Sequence, residues 1–363
     1  MSWSFRIARI AGTDVKVHIT FLLLLGVFWF TGGAAAGLLL LALFGCVLLH
    51  EFGHIAMAAR FGVRTPDVIL LPIGGLARLE RMPDEPRQEL LIAVAGPVVT
   101  VLIAAALYAW LALTGARPAL FPGFTVGETG FVETLYRINV LILLFNLLPA
   151  FPLDGGRVLR ALLAARLGLE RATRIAASVG QLLAFVIGFF AIMSGAILLL
   201  LIAFFIFIGA GGEASAVATR IAGRGLAVRD MMVTEFRTLP IHATLADAAE
   251  ALVAGEQREF PIVDNLGAVE GVLTRDDLVR GLAAHGGAGL AREAMAARAP
   301  QLSPDLKFED ALARLQASRL PALPVTEGGR LVGLLTMDNI TDLLLVRRAV
   351  RREPGPQAGR APS

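Results

Sequence analysis

Cysteine is almost absent from this chain of 363 residues: Cys46 stands alone, which excludes an internal disulfide framework and a cysteine-based zinc site. Cys46 lies four residues before His50 but eight before His54, about 12 Å of helix rise, too far for one ion to be held by all three. Charge is scarce as well. Only 17% of the residues are Asp, Glu, Lys or Arg, the formal net charge is +3, and the basic residues form no patch interleaved with aromatics, so nucleic acid is not an expected partner. Apolar residues take the place of charge, at 56% of the chain with a mean hydropathy of +0.70. That balance excludes an ordinary soluble domain and predicts a membrane protein with a smaller soluble part. The first apolar run, Val17 to Phe30, lacks a small-residue cleavage site and leads through Thr-Gly-Gly into another, so a retained helix is expected.

Hydrophobic segments fall at about 17–33, 36–59, 90–113, 133–150, 175–193 and 195–211, each near the length of a bilayer core, which predicts a polytopic α-helical membrane protein of about six transmembrane helices. Arg6, Arg9 and Lys16 precede the first segment, Arg60, Arg64, Arg78, Arg81 and Arg87 lie between the second and third, and Arg157, Arg160, Arg166, Arg171 and Arg174 follow the fourth. The opposite loops carry little beyond Arg117 and Arg137. Basic loops stay inside, so a multi-pass protein of the cell membrane with both termini cytoplasmic is expected.

Within the second segment stands His50-Glu51-Phe52-Gly53-His54. Residues four apart share a helix face, so the two imidazoles can meet one metal ion while Glu51 reaches the water beside it. Ionisable groups inside an apolar helix are costly unless paired or metal-bound, which makes these residues functional candidates. A zinc hydrolase site needs three protein ligands and an open position for water. The candidate for the third is Asp154, in Asn146-Leu147-Leu148-Pro149-Ala150-Phe151-Pro152-Leu153-Asp154-Gly155-Gly156-Arg157, where prolines and glycines break the fourth segment near the depth of the His pair. Broken backbone at that depth belongs in a wet, protein-lined cavity. Residues 66–79 read as two short strands about a Gly74-Gly75 turn, with an edge on which an extended peptide could pair. His18 reads as an interfacial anchor, and Asn139 and Gln181 as residues bonding between helices.

Past Gly211 the composition turns soluble, and 226–346 repeats itself at an offset of about 63 residues. Val228-Arg229-Asp230-Met231-Met232 returns as Ala291-Arg292-Glu293-Ala294-Met295, Phe260-Pro261-Ile262 as Leu323-Pro324-Val325, and Gly271-Val272-Leu273-Thr274 as Gly333-Leu334-Leu335-Thr336. Each unit reads helix, strand, strand, helix. The stretch resembles a tandem pair of CBS modules, a cytoplasmic α/β domain. The expected divisions are a membrane domain at 1–212, a linker at 213–225, CBS units at 226–282 and 289–346, and a disordered tail at 347–363.

With these motifs in order, residues 10–210 resemble the site-2 protease family of intramembrane zinc metalloproteases. The resemblance rests on His50 to His54, Gly74-Gly75, Ala95-Gly96-Pro97, Asn146-Leu147-Leu148-Pro149 and Leu153-Asp154-Gly155. It implies one zinc ion on His50, His54 and Asp154, Glu51 as catalytic base, and Asn146 and Pro149 beside the substrate. Thr100 stands where many members have Asn, so a bond made there must come from a shorter hydroxyl or be lost, and catalysis is not expected to depend on it. The resemblance further implies regulated intramembrane proteolysis of a membrane-bound regulator, such as an anti-sigma factor or a pro-form of a sigma factor. The CBS resemblance implies an adenine nucleotide held by Thr274 and Asp277, while Asn339 replaces the matching Asp of the second unit, and it implies a homodimer through these modules. A transporter or channel gated by the CBS pair is the alternative from another class, and a pseudoenzyme scaffold a further one, against which the intact Glu51 speaks.

Overall fold

The computed structural model describes residues 3–72, 74–78, 80, 85–116, 130–295 and 299–351. Contacts divide the chain into two compact units, Met1–Val217 and Ala218–Ser363.

The first unit opens with a hairpin that the sequence reading left unassigned, β1 (Ser4–Ile10) and β2 (Thr13–His18). Its two-residue turn, Ala11 and Gly12, has φ of 50° and 87°, the left-handed values that match the twist of a tight hairpin. His18 then caps α1 (Ile19–Arg60), its Nδ1 accepting from the Thr20 backbone N–H at 3.3 Å. A straight helix of 42 residues would be about 63 Å long, twice a bilayer core. It turns instead at Gly33, where φ is 71°. The Phe21 and Phe44 rings, 23 residues apart, lie 4.3 Å centroid to centroid, so the two limbs run side by side. Trp29 fills the space over Gly37 at that bend, where a Cβ would strike the indole.

Strands β3 (Asp67–Leu71) and β4 (Gly74–Arg78) follow. The sheet order is β1-β2-β3-β4, with β2 and β3 parallel and the other pairs antiparallel. Leu71 pairs with Gly74, so Gly74-Gly75 opens β4 instead of forming the expected turn. Residues 73 and 79 of the expected 66–79 hairpin lie outside the described residues. Val15, Val17, Val68 and Leu70 bury one face of the sheet against Leu48, Phe52 and Ile55 of α1, which sets the sheet beside the His pair.

Helices α2 (Pro86–Leu113), α3 (Phe131–Asn146), α4 (Asp154–Leu167), α5 (Leu169–Ser194) and α6 (Ile197–Gly223) complete the unit. Among the described residues four helices are long and apolar enough to cross a membrane, namely α1, α2, α5 and α6. The fourth expected segment is shorter than 133–150, because α3 ends at Asn146 and the backbone turns through residues 147–153. On α5 the large residues face outward, Leu182, Phe185 and Phe190 at 65%, 71% and 62% exposure, while Ala172, Ala176, Ala177, Ala184 and Ala191 face in. Small residues inside and bulky apolar ones outside are what packing in lipid favours. Asn139 is buried, donates to the Leu135 carbonyl at 2.8 Å and meets Cys46 of α1. The expected linker at 213–225 is helical up to Gly223, since its Ala-rich sequence carries α6 onward.

The second unit contains a short 3-10 turn at Val228–Asp230, β5 (Leu239–Pro240), α7 (Leu245–Val253), β6 (Glu259–Val263), β7 (Val269–Thr274) and α8 (Arg275–His285). A similar order returns in α9 (Ala291–Ala294), α10 (Phe308–Ser318), β8 (Ala322–Glu327), β9 (Arg330–Thr336) and α11 (Met337–Arg351), with an isolated bridge from Leu302 to Val325 where the first half has β5. Two cores form, one around Leu245, Phe260, Ile262 and Leu273 of the first half, the other around Phe308, Leu323 and Leu335 of the second, to which Val228, Met231 and Val272 of the first half contribute. Because α11 runs to Arg351, the tail expected to be disordered from 347 starts in helix, and 352–363 lies outside the described residues.

Candidate metal centre

His50 and His54 share the inner face of α1, and Asp154 is the first residue of α4. The fold brings all three together although Asp154 is 104 residues from His50. His50 Nε2 lies 3.1 Å from Asp154 Oδ2, His54 Nε2 lies 3.3 Å from the same oxygen, and the two Nε2 atoms are 3.1 Å apart. Three ligand atoms each about 2.0–2.1 Å from one tetrahedral ion are separated by about 3.3 Å, so this triangle fits one face of a zinc site. All three side chains are buried, as a closed ligand set requires.

The outer bonds leave the inner nitrogens free to bind. His54 Nδ1 donates to the Ile92 carbonyl at 2.7 Å, which puts its proton there and a lone pair on Nε2. His50 Nδ1 lies 2.8 Å from Thr100 Oγ1, and that hydroxyl faces the Gly96 carbonyl at 3.4 Å. A hydroxyl that donates to Gly96 accepts from Nδ1, so the second imidazole takes the same tautomer. Sequence reasoning missed this role. It noticed Thr100 as a departure and discounted it, because nothing local tells which residue of α1 meets it 50 positions away. Replacing Thr100 with Val is expected to weaken zinc affinity by about 10–100-fold, with Ser near wild type, as chelator competition on purified protein would show. An unchanged affinity in the Val variant would remove Thr100 from the site.

Glycines make the close approaches. A Cβ on Gly96 would run into Nε2 of both imidazoles, and one on Gly53 would come 2.7 Å from the Ala95 carbonyl oxygen. Thus α1 and α2 touch backbone to backbone, and α2 forms the wall on which the rings lie. Gly155 and Gly156 likewise fit under the carbonyls of Leu147, Leu148 and Ala150, which lets α4 start at Asp154 directly below the turn. Glu51, one step along α1 from the ligand face, is half-buried and lies under β4: a Cβ on Gly75 would come 2.9 Å from its Oε1. Asn146 is the last residue of α3 and half-buried, and Pro149 is exposed in the turn that leads to Asp154.

Thr274 and Asp277 are together in the second unit, but as a helix cap. Thr274 Oγ1 donates to Asp277 Oδ2 at 2.7 Å, the Asp277 N–H returns to Thr274 Oγ1 at 3.1 Å, and Arg280 pairs with the other carboxylate oxygen. Thr244 and Asp247 make the same box on α7, and there the Thr244 N–H and hydroxyl hold the Asp247 carboxyl below its ordinary range. In the second half the Asn339 N–H caps on Thr336 Oγ1 at 3.0 Å while its side chain binds the Met231 carbonyl.

Comparison with known proteins meets this geometry. The family model described as Peptidase family M50 matches residues 38–126 and 122–187, which span the His pair and Asp154, and the CBS domain model matches 228–284 and 291–346. A Mycobacterium tuberculosis protein named Rip3, itself a candidate zinc metalloprotease, is 30% identical over 96% of this chain and 94% of its own. The chain belongs to peptidase family M50. A zinc metalloprotease of Methanocaldococcus jannaschii is 29% identical over 94% of this M50 chain and 96% of its own length. A solved site-2 protease from the same organism is 36% identical, covering 58% of this chain and 95% of that one with a TM-score of 0.45. This M50 member is therefore a membrane metalloprotease that carries two CBS domains, and the transporter reading gives way to hydrolysis.

Proposed function

We propose that this chain is an intramembrane zinc endopeptidase of the site-2 type, with His50, His54 and Asp154 as ligands and Glu51 as general base. The observation that carries the reading is the buried triangle of two Nε2 atoms and one carboxylate oxygen, with edges of 3.1–3.3 Å, beside a carboxylate that is not part of it. Zinc bound there would acidify a coordinated water towards a pKa of about 7 and polarise a peptide carbonyl. Glu51 then takes the water proton on its carboxylate and returns it to the leaving amine. Thr100 and the Ile92 carbonyl hold the imidazoles in the one tautomer that can ligate.

The substrate is a membrane protein whose scissile segment has unwound. The outer strand β4 lies over Glu51 and offers main-chain groups to an extended peptide, which holds it without demanding a fixed sequence. Asn146 and Pro149, next to the turn that presents Asp154, would flank the same peptide. A membrane-anchored regulator released on the cytoplasmic side, with both termini of the protease on that side, remains the reading that the basic loops and the family resemblance support.

An adenine nucleotide is proposed as effector of the CBS pair, with contacts at Thr274 and Asp277. Since both are engaged in a cap, the ligand must share their oxygens, and modulation of a few-fold is expected in place of an on-off switch. Calorimetry on the full chain with AMP, ADP and ATP should show binding by at least one and weakening in the Asp277→Ala variant. No binding by all three leaves the modules as a docking or dimerisation part. For the protease reading, zinc content and cleavage of a single-span substrate are measured on one purified preparation. Stoichiometric zinc with cleavage lost on its removal is expected; cleavage that persists in zinc-free protein would overturn it.

A further inference from the structure

Arg160 is counted by sequence reasoning only among the charges that orient the helices, yet its side chain is one of the most buried in the protein, at 2% exposure. Its Nε donates to Glu89 Oε1 of α2 at 2.6 Å, its Nη2 reaches the same carboxylate, and its Nη1 donates to Glu213 Oε1 of α6 at 2.5 Å. The guanidinium carbon lies 4.9 Å from the ring centroid of Phe151, which is fully buried in the turn before Asp154. One guanidinium thus serves two carboxylates and an aromatic face, a task that its planar fork can perform and an ammonium cannot.

Of the elements gripped by Arg160, α2 and the turn before α4 shape the metal centre, and α6 packs on that turn. Glu89 stands on α2 one turn before Ile92, whose carbonyl fixes His54, and two turns before Gly96, on which both rings lie. Phe151 belongs to the turn that delivers Asp154, and Arg160 itself is on α4, six residues or about 9 Å of helix from that ligand. Glu213 lies on α6 one turn past Gly209, where a Cβ would come 2.6 Å from Pro152 of the same turn. Two of the three ligands are therefore set by α2 and the third by α4, and the Glu89–Arg160 pair is a buried charged bond that joins those helices.

We propose that Arg160 is a positioning residue for the metal centre: it fixes Asp154 against the imidazole wall through Glu89, and Glu213 ties that arrangement to α6. A third ligand displaced by about 1 Å leaves an incomplete tetrahedron, so the release of metal reports the clamp directly. This inference rests on the metal reading of the triangle.

The test uses full-length protein purified in detergent, with Arg160→Lys, Glu89→Gln, Glu213→Gln and, as a surface control, Arg174→Lys from the exposed Glu170 pair. Zinc release to excess chelator, the thermal midpoint of the zinc-free protein, and kcat and KM are read for each. Arg160→Lys and Glu89→Gln are expected to release zinc about tenfold faster or more and to lower kcat with KM unchanged. Glu213→Gln keeps an accepting amide and should speed release only about twofold, and the control should match wild type. Release at the wild-type rate below a lowered thermal midpoint would make Arg160 a plain structural staple and overturn the proposal. Should Arg160→Lys fail to fold, the isosteric Glu89→Gln decides. Wild-type protein that binds no zinc overturns the metal reading and the clamp together; zinc held equally by wild type and variants overturns the clamp alone.

Discussion

Replacing Glu51 with Gln is expected to lower cleavage by about a hundred- to ten-thousand-fold while zinc content stays at the wild-type level. The amide has the shape of the carboxylate and fits the same space under Gly75, so the fold about it is kept. It cannot accept a proton from water. Nor is Glu51 one of the three side chains whose ligand atoms cluster together, so the metal has no reason to leave. Metal analysis and proteolysis of a membrane substrate on the same preparation separate the two effects. Cleavage near the wild-type rate would sink the general-base role, and loss of zinc with activity would make Glu51 a ligand.

Asp154→Ala is expected to strip the metal itself. Asp154 Oδ2 is the atom that both imidazole nitrogens face, at 3.1 and 3.3 Å, and its removal leaves two neighbouring ligands on one helix. The loss of affinity should exceed the 10–100-fold or so that follows from a missing outer partner. Asn at the same position keeps size and the helix start but not the charge, and should retain the fold with intermediate zinc binding. If both variants kept stoichiometric zinc through dialysis against a weak chelator, the third ligand would lie elsewhere.

Local patterns in the sequence reached far into this site, and non-local ones did not. His50, Glu51 and His54 declare themselves by helix spacing, and Asp154 by the proline and glycine break before it. The CBS halves show as a repeat because Phe260-Pro261-Ile262 and Gly271-Val272-Leu273-Thr274 return at a nearly constant offset as paired strands, β6–β7 and β8–β9. What escaped depends on partners fixed by packing. Thr100 is one hydroxyl in an apolar helix until α2 meets α1, and Arg160, Glu89 and Glu213 are ordinary surface charges until three helices enclose them. The Gly74-Gly75 pair misled for the opposite reason: glycine most often signals a turn, whereas Gly75 is small so that a strand can pass over Glu51. The β1–β2 hairpin had a signal in the alternation of Val15 and Val17 with polar residues, overshadowed by the long apolar run beside it.

The 104 residues that separate His50 from Asp154 also set an order of assembly. A ribosome adds about 5–20 residues each second, so the histidines reach the bilayer about 5–20 s before the carboxylate that completes their site. Ile92 and Thr100, 38 and 50 residues behind their imidazole partners, arrive about halfway through that interval. Helix α2 can therefore receive both rings and settle their protons while the third ligand is still unsynthesised, so metal capture follows the pairing of α1 with α2 and is not the event that folds those helices together.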